Sequence, residues 1–513
     1  MTDREWREAA DMKPSTVGLA LVLLVGFLLR VWHLGSGVPF AVGIDEPAIM
    51  TTVLRILKSG DFNPHFFEYP TGYIYVQLGG AVVQFLFGAM DHAWRSVQQV
   101  GPSDFYLWGR AITAVIGTAT IALLYQAGLR WGARHALLAA GLLAVFPWHV
   151  RESHFVLTDV PLTFCVALTL LLSLRAYEKP TFLSFVLAGA SAGLAAGIKY
   201  NGLMAVSLPI VAAIMASAGR SASLPRVLTA MAACVVMFFI TTPYAVLDMP
   251  GFLNGFGTQA AAFLPRQRDA DVSWLIYLKH LRLALGWPAS LLAAAGLILA
   301  VVRSLRGPGH GRWVLLVVFP AVFFFLIIGW TFLFARYALP MVPFICLWVA
   351  IATISGVSLL RRFDIPRTVR TTLIVALTLA ALLPPLVTSV QWLRGFGVKT
   401  TQALAWEWIR FAVWPGSLVV SEAKGLDLPP EHYRIQFVKS LDGRDPAELA
   451  AQGVQWVILS SDAWGHTIIP DEPRHPPPPG HTAIISLAQE MRVFLPTVDH
   501  PGPEIHILRL TSR

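Results

Sequence analysis

Charge is scarce in this 513-residue chain: 13% of its residues are charged, about half the share of an ordinary soluble domain, while 55% are apolar. That shortage excludes a soluble globular protein and points to an integral membrane protein. Cysteine is scarcer still. Cys165, Cys234 and Cys346 each lie inside an apolar run, with no second Cys or His at metal-ligand spacing, so neither a disulfide framework nor a zinc site is expected. Glycine-rich phosphate loops, a Walker lysine and a dinucleotide fingerprint are all missing, which argues against a nucleotide cofactor. The net charge of +9 is dispersed singly and in pairs between apolar runs, a pattern that sets membrane topology and makes no patch for nucleic acid.

What the chain does have is a series of apolar runs, each close to the ~20 residues that cross a bilayer. The first, Val17 to Trp32, follows a polar tail, Met1 to Lys13, and no small-residue cleavage site follows it, so it reads as an uncleaved anchor. Basic residues at Arg130/Arg134, Arg175/Lys179, Arg220/Arg226, Arg303/Arg306/Arg312 and Arg361/Arg362/Arg367/Arg370 occupy alternate turns, as cytoplasmic loops do. That alternation holds only if Tyr73 to Phe87 lies in the outer interface. The expectation is therefore an α-helical multi-pass protein of about eleven transmembrane helices, N-terminus cytoplasmic and C-terminus extracytoplasmic. Past residue 391 the long apolar runs stop. Short β-rich pieces (Ser417 to Val420, Ile435 to Val438, Gln455 to Leu459, Glu504 to Leu510) alternate with helical patterns such as Thr400 to Phe411. This divides the chain into a transmembrane domain, 1–391, with a first outer loop at 36–104, and a soluble α/β domain, 392–513, on the outer side.

Charges that topology does not require gather at the outer ends of spans. Asp45, Glu46 and Glu68 lie in the first outer loop; Arg110 opens a span; Arg151, His154 and Asp159 fall in one turn; Lys199 and Arg336 close or open others. Several have a plain alternative. Glu46 to Leu57 has helical periodicity with Pro47 in its first turn, so Asp45 is also placed to cap a surface helix. Thr158 and Asp159 can likewise cap, Glu68 can be a solvated loop residue, and Lys199 can snorkel. Together they make an outer pocket holding both acids and bases. Gly189, Gly193 and Gly197 recur every fourth residue, a spacing for close helix packing. The Tyr244 to Arg282 loop mixes Phe252, Phe256, Phe263 and Trp274 with Arg266, Arg268 and Lys279, suiting one wall of a lipid groove.

The ordered set GIDEPAIM, NPHFFEYPTGYIYVQLGGAVVQFLFG, GRAITAVIGTATIALLY, RESHFVLTDVPLTF, GLAAGIKYNGL, TTPYAVLDMPGF and RYALPMVPF resembles the GT-C membrane glycosyltransferases of the protein O-mannosyltransferase and aminoarabinose transferase type. The resemblance spans about residues 15 to 390. It implies inverting transfer of a sugar from a polyprenyl-phosphate donor to a glycan, lipid or protein acceptor, at the outer face of the cytoplasmic membrane. It further implies Asp45 as general base, with Glu46 completing the acidic pair. Arg110, Lys199, Arg336 and Tyr337 fall to the donor phosphate. The same resemblance implies Asp45 and Glu68 as a divalent-metal site for Mg or Mn, and Tyr69 stands where the aminoarabinose type carries a lysine; His154 and Asp159 are further site candidates. A lipid-linked phosphate leaves readily once cations hold its charge, and a carboxylate near a dry surface is a stronger base than one in water, so acids and cations on one face suit this chemistry. The alternative from another class is a transporter or flippase of lipid-linked sugars, which calls for internal repeats and helices broken at mid-membrane; the sequence displays neither.

Overall fold

The computed structural model describes residues 16–38, 45–216, 220–263, 273–305, 309–330, 333–359 and 365–422. Apart from residues 427, 429–431, 439, 498, 499 and 501, it also describes 426–464 and 477–510. The N-terminal tail, Gly43, Ile44, Arg266, Arg268, Arg306, Arg361 and Arg362 lie outside the described residues. The chain forms two compact units, residues 1–34 with 45–392, and residues 35–44 with 393–513.

The described residues of the first unit form helices joined by turns. Among the described residues eight helices are long and apolar enough to cross a membrane, and four shorter apolar ones accompany them: Thr16–Val31, Ala133–Val145, Phe182–Ile198 and Tyr200–Met215. Gly72–Met90, the segment expected to lie along the interface, is one of the eight. Most of the exposed large side chains on these helices are apolar, for example Val235, Val236 and Ile240 on Arg220–Thr241 and Leu291 and Ile298 on Ser273–Leu305, as lipid-facing surfaces require. Small residues bring helices together. A Cβ on Gly189 would collide with the Ala230 carbonyl, one on Gly193 with that of Cys234 and one on Gly197 with the Thr241 hydroxyl, so the four-residue glycine repeat seats Phe182–Ile198 directly against Arg220–Thr241.

The two ends of the bundle differ. At one end the basic turns meet: Arg130 pairs with Glu178 at 3.2 Å, and Arg312 donates to the Arg130 carbonyl at 3.2 Å. At the other end lie the starts of Glu46–Ser59, Pro102–Gly128 and Asp159–Glu178, the close of Phe182–Ile198 and the turn Ala335–Met341. Glu46–Ser59 is not the surface-lying helix its periodicity suggests. Ile49, Val53 and Ile56 are fully buried, because its apolar stripe packs on the protein's own helices and not on lipid.

The second unit carries a five-stranded sheet of order β2-β1-β3-β5-β4, with β1 Leu418–Ser421, β2 Arg434–Phe437, β3 Trp456–Ser460, β4 Gln489–Phe494 and β5 Ile505–Arg509. The pairs β1/β2 and β1/β3 are parallel, and β3/β5 and β4/β5 antiparallel. The central β3 is buried along its whole length, with Ile458 and Ile507 in one apolar cluster and Val457, Leu459 and Leu508 in a second. Glu422, just past β1, is buried and accepts from the backbone N–H groups of Leu441 (2.8 Å) and Ser460 (3.1 Å) and lies 2.9 Å from His481 Nε2, so this carboxylate is fully partnered.

Candidate active site

Asp45 occupies the N-cap position of Glu46–Ser59, but its side chain makes no capping hydrogen bond. The carboxylate turns instead to Arg336, whose Nη2 donates at 2.9 Å across 291 positions of sequence. The pair keeps a window to the outside: the Asp45 side chain is 25% exposed and that of Arg336 14%. Thr158 caps nothing with its hydroxyl either, and Asp159 at the helix start accepts from Lys199 Nζ at 2.7 Å. Lys199 is therefore no snorkelling lysine; it is buried and held by a buried acid. Tyr337 joins the two pairs, its ring 5.1 Å from Lys199 Nζ and 5.7 Å from the Arg336 guanidinium carbon.

Two further side chains face this constellation. Burial, followed by the charges of Asp45 and Asp159, raises the Tyr69 phenol well above its ordinary range, so Tyr69 remains a neutral hydroxyl able to donate. Burial, helped by Asp159, also raises the Glu152 carboxyl, against the opposing pull of Arg151, Arg336 and Lys199. Sequence reasoning passed over Glu152; its one signal was an acid beside Arg151 at a span end. Arg151 donates to Glu152 at 3.0 Å and stacks over Trp392 at 4.7 Å.

Lys199, Tyr69 and the exposed Glu68 open into a cavity of about 500 Å³ whose remaining wall is almost wholly apolar. Phe252, Phe256 and Phe263 from Met249–Phe263 form one side, as the aromatic content of that segment suggested, and Phe238, Phe239 and Trp330 contribute others. Tyr200 anchors the wall, its hydroxyl donating to the Phe67 carbonyl at 2.8 Å and its ring meeting Phe256 edge-on at 5.0 Å. Phe263 and Trp330 lie 5.8 and 5.1 Å from the Tyr337 ring, which connects the apolar chamber to the ion pairs.

Three expected site residues are placed elsewhere by the structure. Glu46 and Arg110 form a bidentate pair at 2.8 and 2.7 Å with both side chains closed to solvent (0% and 1% exposed). Glu46 also accepts from the Val156 backbone N–H at 2.7 Å, and Arg110 donates to the Leu34 carbonyl at 3.0 Å. A guanidinium and a carboxylate that satisfy one another in a sealed position form a clasp between the helix starts, the arrangement in which the structure holds Arg110, expected on the donor, and Glu46, expected in catalysis. His154 is wedged between the carbonyls of Val150 (2.8 Å) and Trp32 (3.0 Å) and ties two loops. Arg30, unmarked by any motif, is also buried. It donates to the Leu143 and Ala144 carbonyls at 3.1 and 3.0 Å, closing the C-terminus of Ala133–Val145.

Asp45 is already committed to a guanidinium, and among the described residues no three His, Cys, Asp or Glu side chains come together as a ligand set.

Comparison with known proteins matches part of the chain to a family and most of it to a fold. Residues 57–256 match the family described as dolichyl-phosphate-mannose-protein mannosyltransferase, a stretch that includes Glu68, Arg110, Asp159 and Lys199. No curated protein sequence matches the chain. Among solved structures, ArnT from Cupriavidus metallidurans bound to undecaprenyl phosphate is similar over 96% of this chain and 98% of its own, at 16% identity and a TM-score of 0.60. The oligosaccharyltransferase AglB from Archaeoglobus fulgidus, in complex with an inhibitory peptide and a dolichol-phosphate, is similar over 87% of this chain and 69% of its own, at 13% identity and a TM-score of 0.54. At such identities the likeness is one of fold. The family match covers 200 of the 513 residues, and the chain is a multi-pass membrane protein that shares its fold with ArnT and AglB.

Proposed function

We propose that the protein is an inverting glycosyltransferase that moves a sugar from a polyprenyl-phosphate donor to an acceptor hydroxyl at the outer face of the cytoplasmic membrane. The observation that carries this reading is the meeting of two ion pairs, Asp45–Arg336 and Asp159–Lys199, at the mouth of an apolar chamber. A soluble sugar would need no such chamber, and a lipid without a charged head would need no such cations. The undecaprenyl phosphate and dolichol-phosphate held by ArnT and AglB suit both features.

In this reading the first isoprene units lie against Phe252, Phe256 and Phe238, and the phosphate rests between Lys199 and Arg336 with the neutral Tyr69 hydroxyl donating. Asp45 takes the proton from the acceptor hydroxyl as that oxygen attacks the anomeric carbon. The bond from this carbon to the phosphate oxygen breaks, and the electron pair leaves with the polyprenyl phosphate. Charge grows on the leaving phosphate as the bond breaks, so fixed cations stabilise the transition state more than the ground state. One displacement inverts the anomeric centre. The experiment is to incubate the purified protein with polyprenyl-phosphate hexoses and pentoses and follow free lipid phosphate: the parent releases it and Asp45→Asn does not. Equal release by the variant removes Asp45 from the base position.

A further inference from the structure

Arg336 and Lys199 are both occupied. Each has a carboxylate at ion-pair distance, 2.9 Å for Asp45 and 2.7 Å for Asp159, and the buried Asp159 is weakly screened by water. A donor phosphate approaching these cations meets them already neutralised. The same contact costs Asp45 its readiness as a base, because a carboxylate bonded to a guanidinium holds its lone pairs there.

The geometry points to a carboxylate exchange: Asp45 and Asp159 hold the places of the lipid phosphate on Arg336 and Lys199, and the arriving phosphate displaces them, uncovering Asp45 for the acceptor only when donor is present. This rests on the donor reading above and assigns Asp159 a positioning role in it. Charge accounting supports the exchange. Two cations face two carboxylates, so the resting site is neutral. A sugar-phosphate diester brings one negative charge, and the monoester formed on transfer carries a second, so the hold of the cations on phosphate grows through the reaction while their hold on the carboxylates does not. Glu152, buried beside Asp159, adds a third acid to the same small space and further disfavours a crowded anionic state. Asp45 is the more exposed of the exchanging acids and begins a helix without capping it, so its side chain is free to swing once released.

The exchange makes a prediction of sign that a purely structural pair does not. Binding of undecaprenyl phosphate to the purified full-length protein is measured, with undecaprenol as the control that shares the tail and lacks the phosphate. Asp45→Asn and Asp159→Asn remove a competitor for the cations and are expected to bind undecaprenyl phosphate about five- to tenfold more tightly, in the range of ordinary coupling between two ligands of one site. Their affinity for undecaprenol stays at the parent value. Arg336→Ala and Lys199→Ala lose affinity for undecaprenyl phosphate by about tenfold or more. If those two weaken binding while the aspartate variants bind no more tightly than the parent, the exchange is overturned and the donor reading stands. If all four bind as the parent does, the donor reading falls and takes the exchange with it. Should buried Asp159→Asn fail to fold, Asp45→Asn, at a quarter-exposed position, decides the matter alone.

Discussion

At the scale of single residues the site separates two kinds of ion pair that look alike in sequence. Glu46–Arg110 is sealed and bidentate, and Asp45–Arg336 retains access to the outside. Removing one partner of a sealed pair strands a buried charge, so Arg110→Ala is expected to cost about 3–5 kcal/mol of stability, read as a lowered unfolding temperature in detergent. Arg336→Ala leaves Asp45 with solvent to face and should shift that temperature little. A reversed order would mean that the clasp and the site have been exchanged. None of these pairings was legible in the chain. Acids and bases at span ends were visible, but Asp45 finds Arg336 across 291 positions, and Asp45 and Glu46, adjacent in sequence, turn to different partners because neighbouring residues at a helix start point in different directions.

At the scale of elements the apolar runs and the glycine repeat were readable because each follows from a local rule, helix length against bilayer thickness and small residues at a close crossing. Strand β4 was not. Its sequence, QEMRVF, lies at the sheet edge with four exposed residues, and an edge strand carrying charge has no apolar run to betray it. What ties it down is chemical: His506 of β5 lies 2.9 Å from Glu490 of β4 and 2.8 Å from Glu504. Burial alone would lower the His506 pKa, but the hydrogen bonds to Glu504 and Glu490 outweigh it and raise the value. A proton held more tightly in the folded than in the unfolded state stabilises the fold fully below the unfolded pKa of about 6.5 and ceases to do so as pH rises through the higher folded value. Hydrogen exchange in β4 and β5, corrected for its intrinsic pH dependence, should therefore quicken over that interval, and His506→Gln should make it insensitive there. Unchanged pH dependence in the variant would exclude His506 as the cause.

On the scale of the whole molecule the charges sort to opposite ends of the helical unit, basic turns at one and the paired acids and cations at the other. Orientation in the membrane is then open to a direct measurement, because Cys165, Cys234 and Cys346 are all buried and give little labelling of their own. In intact cells a membrane-impermeant maleimide is expected to reach Lys399→Cys, whereas Lys179→Cys reacts only after permeabilisation; the opposite pattern inverts the topology. The fold class was legible at this scale because a bilayer imposes the same demand on every span, while the spatial convergence of distant termini is a property of packing that no single stretch encodes. The size of the apolar chamber carries one more implication. About 500 Å³ is room for a compact organic molecule and too little for an entire long isoprenoid, most of which, under the proposed function, trails among the acyl chains. A protein that grips only the head of its lipid has no ruler for the tail, so polyprenols of different length should serve it interchangeably.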